Sequence, residues 1–342
     1  MSAVVVTGGA GYVGSHAVKA LAAAGYDVVV FDDLSAGHGA AVDRLARAFP
    51  SRKISLVRGD VLDRTALDRV LAGSGASAVM HFAARLLVGE SVREPIGYYR
   101  ANVTGTMTLL EAMAAAGIGR FVFSSTAATF GEPKESPITE DHPQQPVNAY
   151  GETKLAVERA LPHVERATGI RWTVFRYFNA AGADPDGLIG EDHDPEEHLI
   201  PLALGAAAGG RQLTVFGEDY PTPDGTCVRD YVHVTDLASA HVAALQALES
   251  GAPSAAYNLG NGAGISVRQV IDTVARVTGR PVPHQIGGRR PGDPARLVAS
   301  SARARAELGW TPRLDRLDAI VETAWNWHAR HPGGYDPAPP SR

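Results

Sequence analysis

The stretch "VVVTGGAGYVGSHAV", residues 4–18, decides the fold. Consecutive β-branched valines predict a short strand, Gly8-x-x-Gly11-x-x-Gly14 a tight turn, and "YVGSHAVKALAAAG" a helix closed by its last glycine. The turn needs glycine so that the backbone can approach a pyrophosphate, and the following helix start offers unpaired N–H groups and a partial positive charge. In a chain with 37 glycines the spacing alone says little; the strand, turn and helix in one continuous segment make it a dinucleotide grip. The next strand ends "VVVFDD", with Asp32 eighteen residues beyond Gly14. An acid there accepts hydrogen bonds from adenosine ribose hydroxyls and repels a 2′-phosphate, which favours NAD over NADP.

The rhythm continues outward from this segment. Strands are expected at 3–7, 27–32, 54–58, 78–82, 121–125 and 172–177, with amphipathic helical stretches such as "NVTGTMTLLEAMAAAG" between them. Short β-branched runs alternating with helices predict a parallel sheet covered on both faces, hence an α/β, doubly wound (Rossmann) fold with a smaller mixed α/β C-terminal domain. The expected division is a dinucleotide-binding domain over 1–180 with a return segment at about 232–260, where "AAYNLGNG" sends a strand back to the main sheet. A mainly substrate-binding domain follows over 181–335, and then a tail, 336–342, at the end of the Pro- and Gly-rich "HPGGYDPAPPSR", expected to fray.

Composition narrows the function classes. With 342 residues, 45% apolar and 20% charged, the chain has material for two cores. A net charge of −5 gives no general electrostatic case for nucleic acid or an anionic membrane. The single cysteine, Cys227, excludes an internal disulfide and a cysteine-based metal cage, which suits a reducing cytoplasm. No run approaches the roughly 18 apolar residues of a membrane span. In "EDHDPEEH" the residues His193, Asp194, Glu197 and His198 superficially resemble metal ligands; they are read as a flexible polar loop over the substrate, with no metal expected, because a metal site needs fixed geometry.

The chemistry is expected at two places. "FVFSSTAATFG", residues 121–131, is a strand ending in Ser124, Ser125 and Thr126, followed by Ala127 and Ala128, which can neither give nor take a proton. "NAYGETKLAVERAL" puts Tyr150 and Lys154 four residues apart on one face at a helix start. Such a pair is commonplace on helices; its place just after the fifth strand of a dinucleotide-binding sheet aims it at the cleft. A free tyrosine has a pKa of about 10, and making it a base near pH 7 requires about 4 kcal/mol of preference for phenolate. A lysine cation one turn away and a positive nicotinamide ring can supply it.

The motifs "TGGAGYVG", "HFAA", "SSTAATFG", "YGETK", "RYFNAAGA", "VRDYVHV" and "RRPGD" occur in the order found in the extended short-chain dehydrogenases/reductases, and the chain resembles their UDP-galactose 4-epimerase branch over about residues 3–335. The resemblance implies interconversion of UDP-glucose and UDP-galactose through a 4-ketosugar, with NAD tightly bound. Tyr150 would act as base, Lys154 would lower its pKa and hold the nicotinamide ribose, and Thr126 would bond the same sugar oxygen. Related dehydratases carry an acidic pair directly after the threonine; with Ala127 and Ala128 there, the oxidised sugar can only be reduced again. NAD would be held by Gly8, Gly11, Tyr12, Val13 and Gly14 in the turn, by Asp32, Asp33, Asp60 and Val61, by Phe82, Ala83, Ala84 and Leu86, and by Asn102, Ser124, Tyr177 and Phe178 together with the Tyr150–Lys154 pair.

For the nucleotide sugar the resemblance implies Asn179, His198, Leu199, Phe216, Arg229, Arg290 and Asp293. The arginines suit phosphate, Phe216 the uracil and Asp293 the ribose hydroxyls. His198 replaces a frequent asparagine, Leu86 a common lysine and Phe130 a frequent tyrosine. Leu297 falls at the wall beside the sugar ring, which implies a preference for plain hexoses over N-acetylated ones. The family also implies a homodimer built on residues 103–116 and 153–167. Two alternatives stand beside this reading: a UDP-N-acetylglucosamine or UDP-pentose 4-epimerase of the same family, and a non-catalytic NAD-sensing protein. The last class can lose the tyrosine or lysine, and this chain has both.

Overall fold

The computed structural model describes residues 3–290 and 293–335; the expected frayed tail, 336–342, lies outside the described residues. Six strands follow in order along the first half: β1 (Ala3–Thr7), β2 (Asp27–Asp32), β3 (Ile54–Arg58), β4 (Ala76–His81), β5 (Arg120–Thr126) and β6 (Arg171–Tyr177). With the strand Ala255–Leu259 they form one seven-stranded sheet, in which β3-β2-β1-β4-β5-β6 is completed by that returning strand beside β6. Every pairing in it is parallel. The order reverses between β1 and β4, and the crevice at the carboxyl ends of the strands on either side of such a reversal is where doubly wound sheets bind ligands.

The sequence explains this sheet directly. Val4, Val5 and Val6 are fully buried because helices cover both faces, and burying such a side chain is worth about 1.5–3 kcal/mol. Helix α1 (Tyr12–Ala23) packs on the same face as the helix Val234–Glu249, and their side chains Val18, Leu21, Leu237 and Leu245 share a core with β1 and β2. On the opposite face Leu67, Leu109, Met113 and Leu161 meet Val5, Val79, Phe121 and Phe123. The expected strand bounds at 78–82 and 121–125 differ from the observed β4 and β5 by one or two residues, because pairing continues past the apolar run into Ala76 and Thr126.

A second core is built mainly from the C-terminal part. The helices Leu199–Ala207, Val267–Thr278 and Leu317–Arg330 enclose Leu204, Val274, Ile320 and Val321, and the strands Leu213–Phe216 and His284–Gly287 pair in parallel at its edge. The chain does not change cores at one point. Trp310, Trp327 and Tyr335 join the first core, and a short strand Asn179–Ala181 pairs with Tyr231–His233 beside it. Two-residue strands at Val228–Arg229, Ile265–Ser266 and Arg296–Leu297 bring distant loops together, with Leu297 opposite Arg229. Among the described residues no helix is long and apolar enough to cross a membrane.

Candidate active site

Between the carboxyl ends of the sheet and the second core runs one cavity of about 1100 Å³. At one end lies the glycine turn. Gly8 has φ +73°, and a Cβ there would meet the backbone nitrogen of Ala83 at 2.4 Å; a Cβ on Gly14 would meet the Gly8 oxygen at 2.1 Å. These two glycines are therefore required by the protein's own packing of turn, helix and β4 loop. Gly11 differs: its only close neighbour would be the Gly8 oxygen at 3.4 Å, so its missing side chain leaves room for a ligand against the start of α1. That helix start has no side-chain cap, and its N–H groups remain available to an anion.

Asp32 closes the same end. Its carboxylate accepts from the Ala10 and Leu34 amides, both at 2.9 Å, which fixes it at the tip of β2. Burial raises its pKa, and those two amides pull it back. Asp33 is turned to Ser35, and Asp60 accepts from the Leu62 amide; both carboxylates line the cavity. Tyr12, Val13, Val61, Phe82, Ala83, Ala84 and Leu86 line it as well. Asn102 stands behind this wall: its side chain bonds both the amide and the carbonyl of Arg85, so it holds the loop after β4 in place.

Midway along, Thr126 at the end of β5 lies in register with Tyr177 at the end of β6, and both face the cavity with Tyr150, Phe178, Ala127 and Ala128. Tyr150 is on the first turn of the helix Ala149–Thr168, whose start is capped by Asn148 accepting from the Gly151 amide at 2.9 Å. Gly151 lets this helix press on the turn that follows β5, since a Cβ there would sit 2.5 Å from the Ala128 oxygen. Lys154, one turn on, is buried, and its ammonium donates to the Ser124 carbonyl at 2.8 Å behind the cavity wall. Ser124 is also behind the wall, its hydroxyl 2.5 Å from the Tyr177 hydroxyl.

The electrostatics of this centre depart from the simplest expectation. Burial raises the Tyr150 pKa, and among the chain's groups the Thr126 hydroxyl is what lowers it. Burial brings Lys154 down to about 7, against the pull of Glu158. Glu158 is itself committed to Arg176, at 2.8 and 2.9 Å, and to Ser125. The lysine is thus poised to gain or lose its charge near neutrality.

The far end is assembled from separate loops. Arg229 is paired with Asp293, and the Arg290 guanidinium lies 3.9 Å from the centre of the Phe216 ring. One face of Phe216 is therefore occupied by Arg290, leaving the other for a planar base. Asn179 donates to the Asp230 carbonyl at 3.2 Å, and Leu199 opens the helix Leu199–Ala207 in the same wall. Leu297 packs with Phe178 against Ala127, Phe130 and Ile138, which puts it beside the Thr126 end of the cavity. Phe130 is fully buried there and its ring faces Arg176, so a hydroxyl at this position would need a partner in the core.

The segment expected to be a flexible polar cover makes specific contacts with the helix Leu317–Arg330. Gly190 presses on Trp327, whose indole donates to the Glu191 carbonyl at 3.1 Å. Glu191, His193, Glu196 and His198 converge, whereas Asp194 and Glu197 do not join them. The carboxylates that meet the two histidines are those two residues before each, not the adjacent Asp194 and Glu197. Burial would raise the Glu191 carboxyl, but hydrogen bonds from His193 and His198 bring it down to about 2. Burial opposes the charge on His193, and Glu191 and Glu196 nevertheless carry its pKa up to about 10. His198 Nδ1 is 2.5 Å from Glu191 Oε1, and the residue lies in the cavity wall.

Residues 4–260 match the sequence profile of the NAD dependent epimerase/dehydratase family. The UDP-glucose 4-epimerase of Halalkalibacterium halodurans is 50% identical over 334 residues, covering 97% of each chain. A crystal structure of UDP-glucose 4-epimerase from Brucella ovis in complex with NAD matches with a TM-score of 0.91 at 48% identity, over 95% of this chain and 98% of that one. A crystal structure of the Bifidobacterium longum enzyme in complex with NAD+ and UDP matches with a TM-score of 0.91 at 39% identity, over 97% and 100%.

Proposed function

The chain belongs to the NAD dependent epimerase/dehydratase family, and from that premise we propose that it interconverts UDP-glucose and UDP-galactose by transient oxidation at carbon 4. One observation carries the reading: a single cavity joins the glycine turn to the Arg229 and Arg290 end, with Thr126 and Tyr150 between them and only Ala127 and Ala128 where an acid would be needed for elimination.

The residues present fit NAD. The open space at Gly11, the uncapped helix start and the anchored Asp32 suit a pyrophosphate and an unphosphorylated ribose. When bound, NAD supplies the reversible oxidation of the sugar carbon. Tyr150 removes the proton from the 4-hydroxyl as a phenolate and returns it at the end of the cycle. Thr126 bonds the same oxygen. Among the chain's own groups Thr126 favours the phenolate, and Lys154, one turn along the helix and held on the Ser124 carbonyl, would hold the nicotinamide ribose. Arg229 and Arg290 grip the diphosphate while the 4-ketosugar turns over between them and Thr126. Incubating the purified protein with UDP-galactose and no added NAD tests this reading: UDP-glucose should accumulate to equilibrium, and a dehydrated sugar would overturn it.

Two finer assignments accompany this. We place the protein in the cytoplasm, where its lone buried thiol needs no oxidising environment. We also assign a homodimer on the face carrying the helices Gly105–Ala115 and Ala149–Thr168. The short helices packed against the latter expose Val88, Val92 and Ile96, with Ile96 77% exposed, and an apolar patch of this kind marks an interaction surface. Light scattering should give twice the chain mass, and Ile96→Glu should shift it toward the monomer.

A further inference from the structure

We infer that Glu191, His193, Glu196 and His198 form a binding site for one divalent metal ion of the zinc class, which ties the segment 191–198 to itself at the cavity wall. The inference stands on these four side chains and does not rest on the activity proposed above. Each offers one ligand atom, and all four atoms lie within 4.8 Å of one another.

The spacing suits a tetrahedron. Zinc bonded to nitrogen and oxygen at about 2.0–2.1 Å places neighbouring ligand atoms about 3.3–3.4 Å apart. Here Glu191 Oε1 is 3.3 Å from His193 Nδ1, and Glu196 comes within 3.5 Å of His198 Nδ1 through Oε1 and within 3.8 Å of His193 Nδ1 through Oε2, so its carboxylate has to turn one oxygen to the ion. The fourth separation, 2.5 Å between His198 Nδ1 and Glu191 Oε1, is a hydrogen bond that has to lengthen by about 1 Å for both atoms to face one ion. Two imidazoles and two carboxylates suit zinc or cobalt rather than magnesium or calcium, which take oxygen ligands.

The surroundings supply what a metal site needs outside its ligands. Glu196 Oε1 is oriented by the amides of Glu197 and His198 at 2.8 and 2.7 Å. The backbone of Glu191 is held by Trp327, and the His193 ring packs edge-on against Tyr12 at 5.9 Å. Ligands held in this way lose little freedom on binding. Four protein ligands leave no open position, so the ion would act as a structural clip and not as a Lewis acid.

The experiment uses the untagged full chain, freed of metal with a chelator and titrated with zinc chloride by calorimetry, with elemental analysis of the dialysed product. The expected result is one zinc per chain and tetrahedral ligand-field bands when cobalt replaces zinc. His193→Ala should weaken zinc binding by about 100-fold or more, and Glu196→Gln by at least about 10-fold. If His193→Ala does not fold, Glu196→Gln, which keeps the shape of the side chain, decides. Failure of the wild-type chain to bind zinc saturably, an octahedral cobalt spectrum, or an affinity unchanged in the folded variants would overturn the inference and leave the four residues as an ion-pair network.

Discussion

The two ends of the cavity are built by different means. The cofactor end is made of backbone: Gly8, Gly11 and Gly14 in one turn, an uncapped helix start, and the tips of neighbouring parallel strands. The nucleotide end is made of side chains brought from loops far apart, with Arg229 held by Asp293, Arg290 against Phe216, and Glu191 gathering two histidines. A backbone site is fixed as soon as the sheet forms. A side-chain site depends on how separate segments finally pack, so its members can be exchanged with smaller consequences.

The largest effect is expected where the two ends meet. Tyr150→Phe removes the base and nothing that grips UDP, so turnover should fall by about 10²–10⁴-fold while UDP affinity stays within a few-fold. Turnover near that of the parent chain would remove Tyr150 from the mechanism.

At the cofactor end, Gly8→Ala forces a left-handed residue and drives a Cβ into the Ala83 backbone. It should destabilise the chain by about 2–4 kcal/mol and strip bound NAD, as read by denaturant unfolding and by the absorbance of released cofactor. An equivalent loss from Gly11→Ala would argue against the distinction between packed and open glycines, because its Cβ meets the protein only at ordinary contact distance and should act on NAD binding alone.

Acid should also weaken the fold around the cofactor end. His81, between the Thr7 and Thr106 hydroxyls, is pushed down by burial to about 3, and His241, against Phe82, to about 4. Both folded values lie below the unfolded value of about 6.5, so the unfolded chain binds more protons between them. The stability they contribute is complete above about pH 6.5 and is lost as pH falls through that window, by up to about 1.4 kcal/mol per pH unit for each histidine. Denaturant midpoints at pH 7 and pH 5 check the sign; equal midpoints would mean that these histidines are not held neutral.

The smallest effect is expected from the side-chain-built wall at Leu297. Leu297→Tyr should lower turnover of UDP-N-acetylhexosamines relative to hexoses, and Leu297→Ser should raise it, each by about 1–3 kcal/mol in the ratio of kcat/KM values. Equal changes for both classes of sugar would place the determinant elsewhere.

The same contrast governs how much could be read from the chain. The six strands, the return to the sheet at Ala255–Leu259 and the glycine turn were legible because each is written in a few consecutive residues. At the other end, spacing named Asp194 and Glu197 beside the histidines, and the fold selects Glu191 and Glu196 instead. Nothing local in "EDHDPEEH" says which carboxylates turn inward; that depends on Gly190 settling on Trp327, a residue 137 positions away in the chain. The stacking of Arg290 on Phe216 and the place of Lys154 behind the wall are likewise products of packing.

The central claim is that the sugar is oxidised and reduced within one closed cycle on Tyr150, with no acid at residues 127 and 128 to divert it. UDP-galactose deuterated at carbon 4, incubated with the protein in ordinary water without added NAD, tests this most directly. The account predicts UDP-glucose that keeps its deuterium at carbon 4, as followed by mass spectrometry and proton NMR. Loss of the label to solvent would contradict it, and so would a stoichiometric amount of free NADH carrying the label.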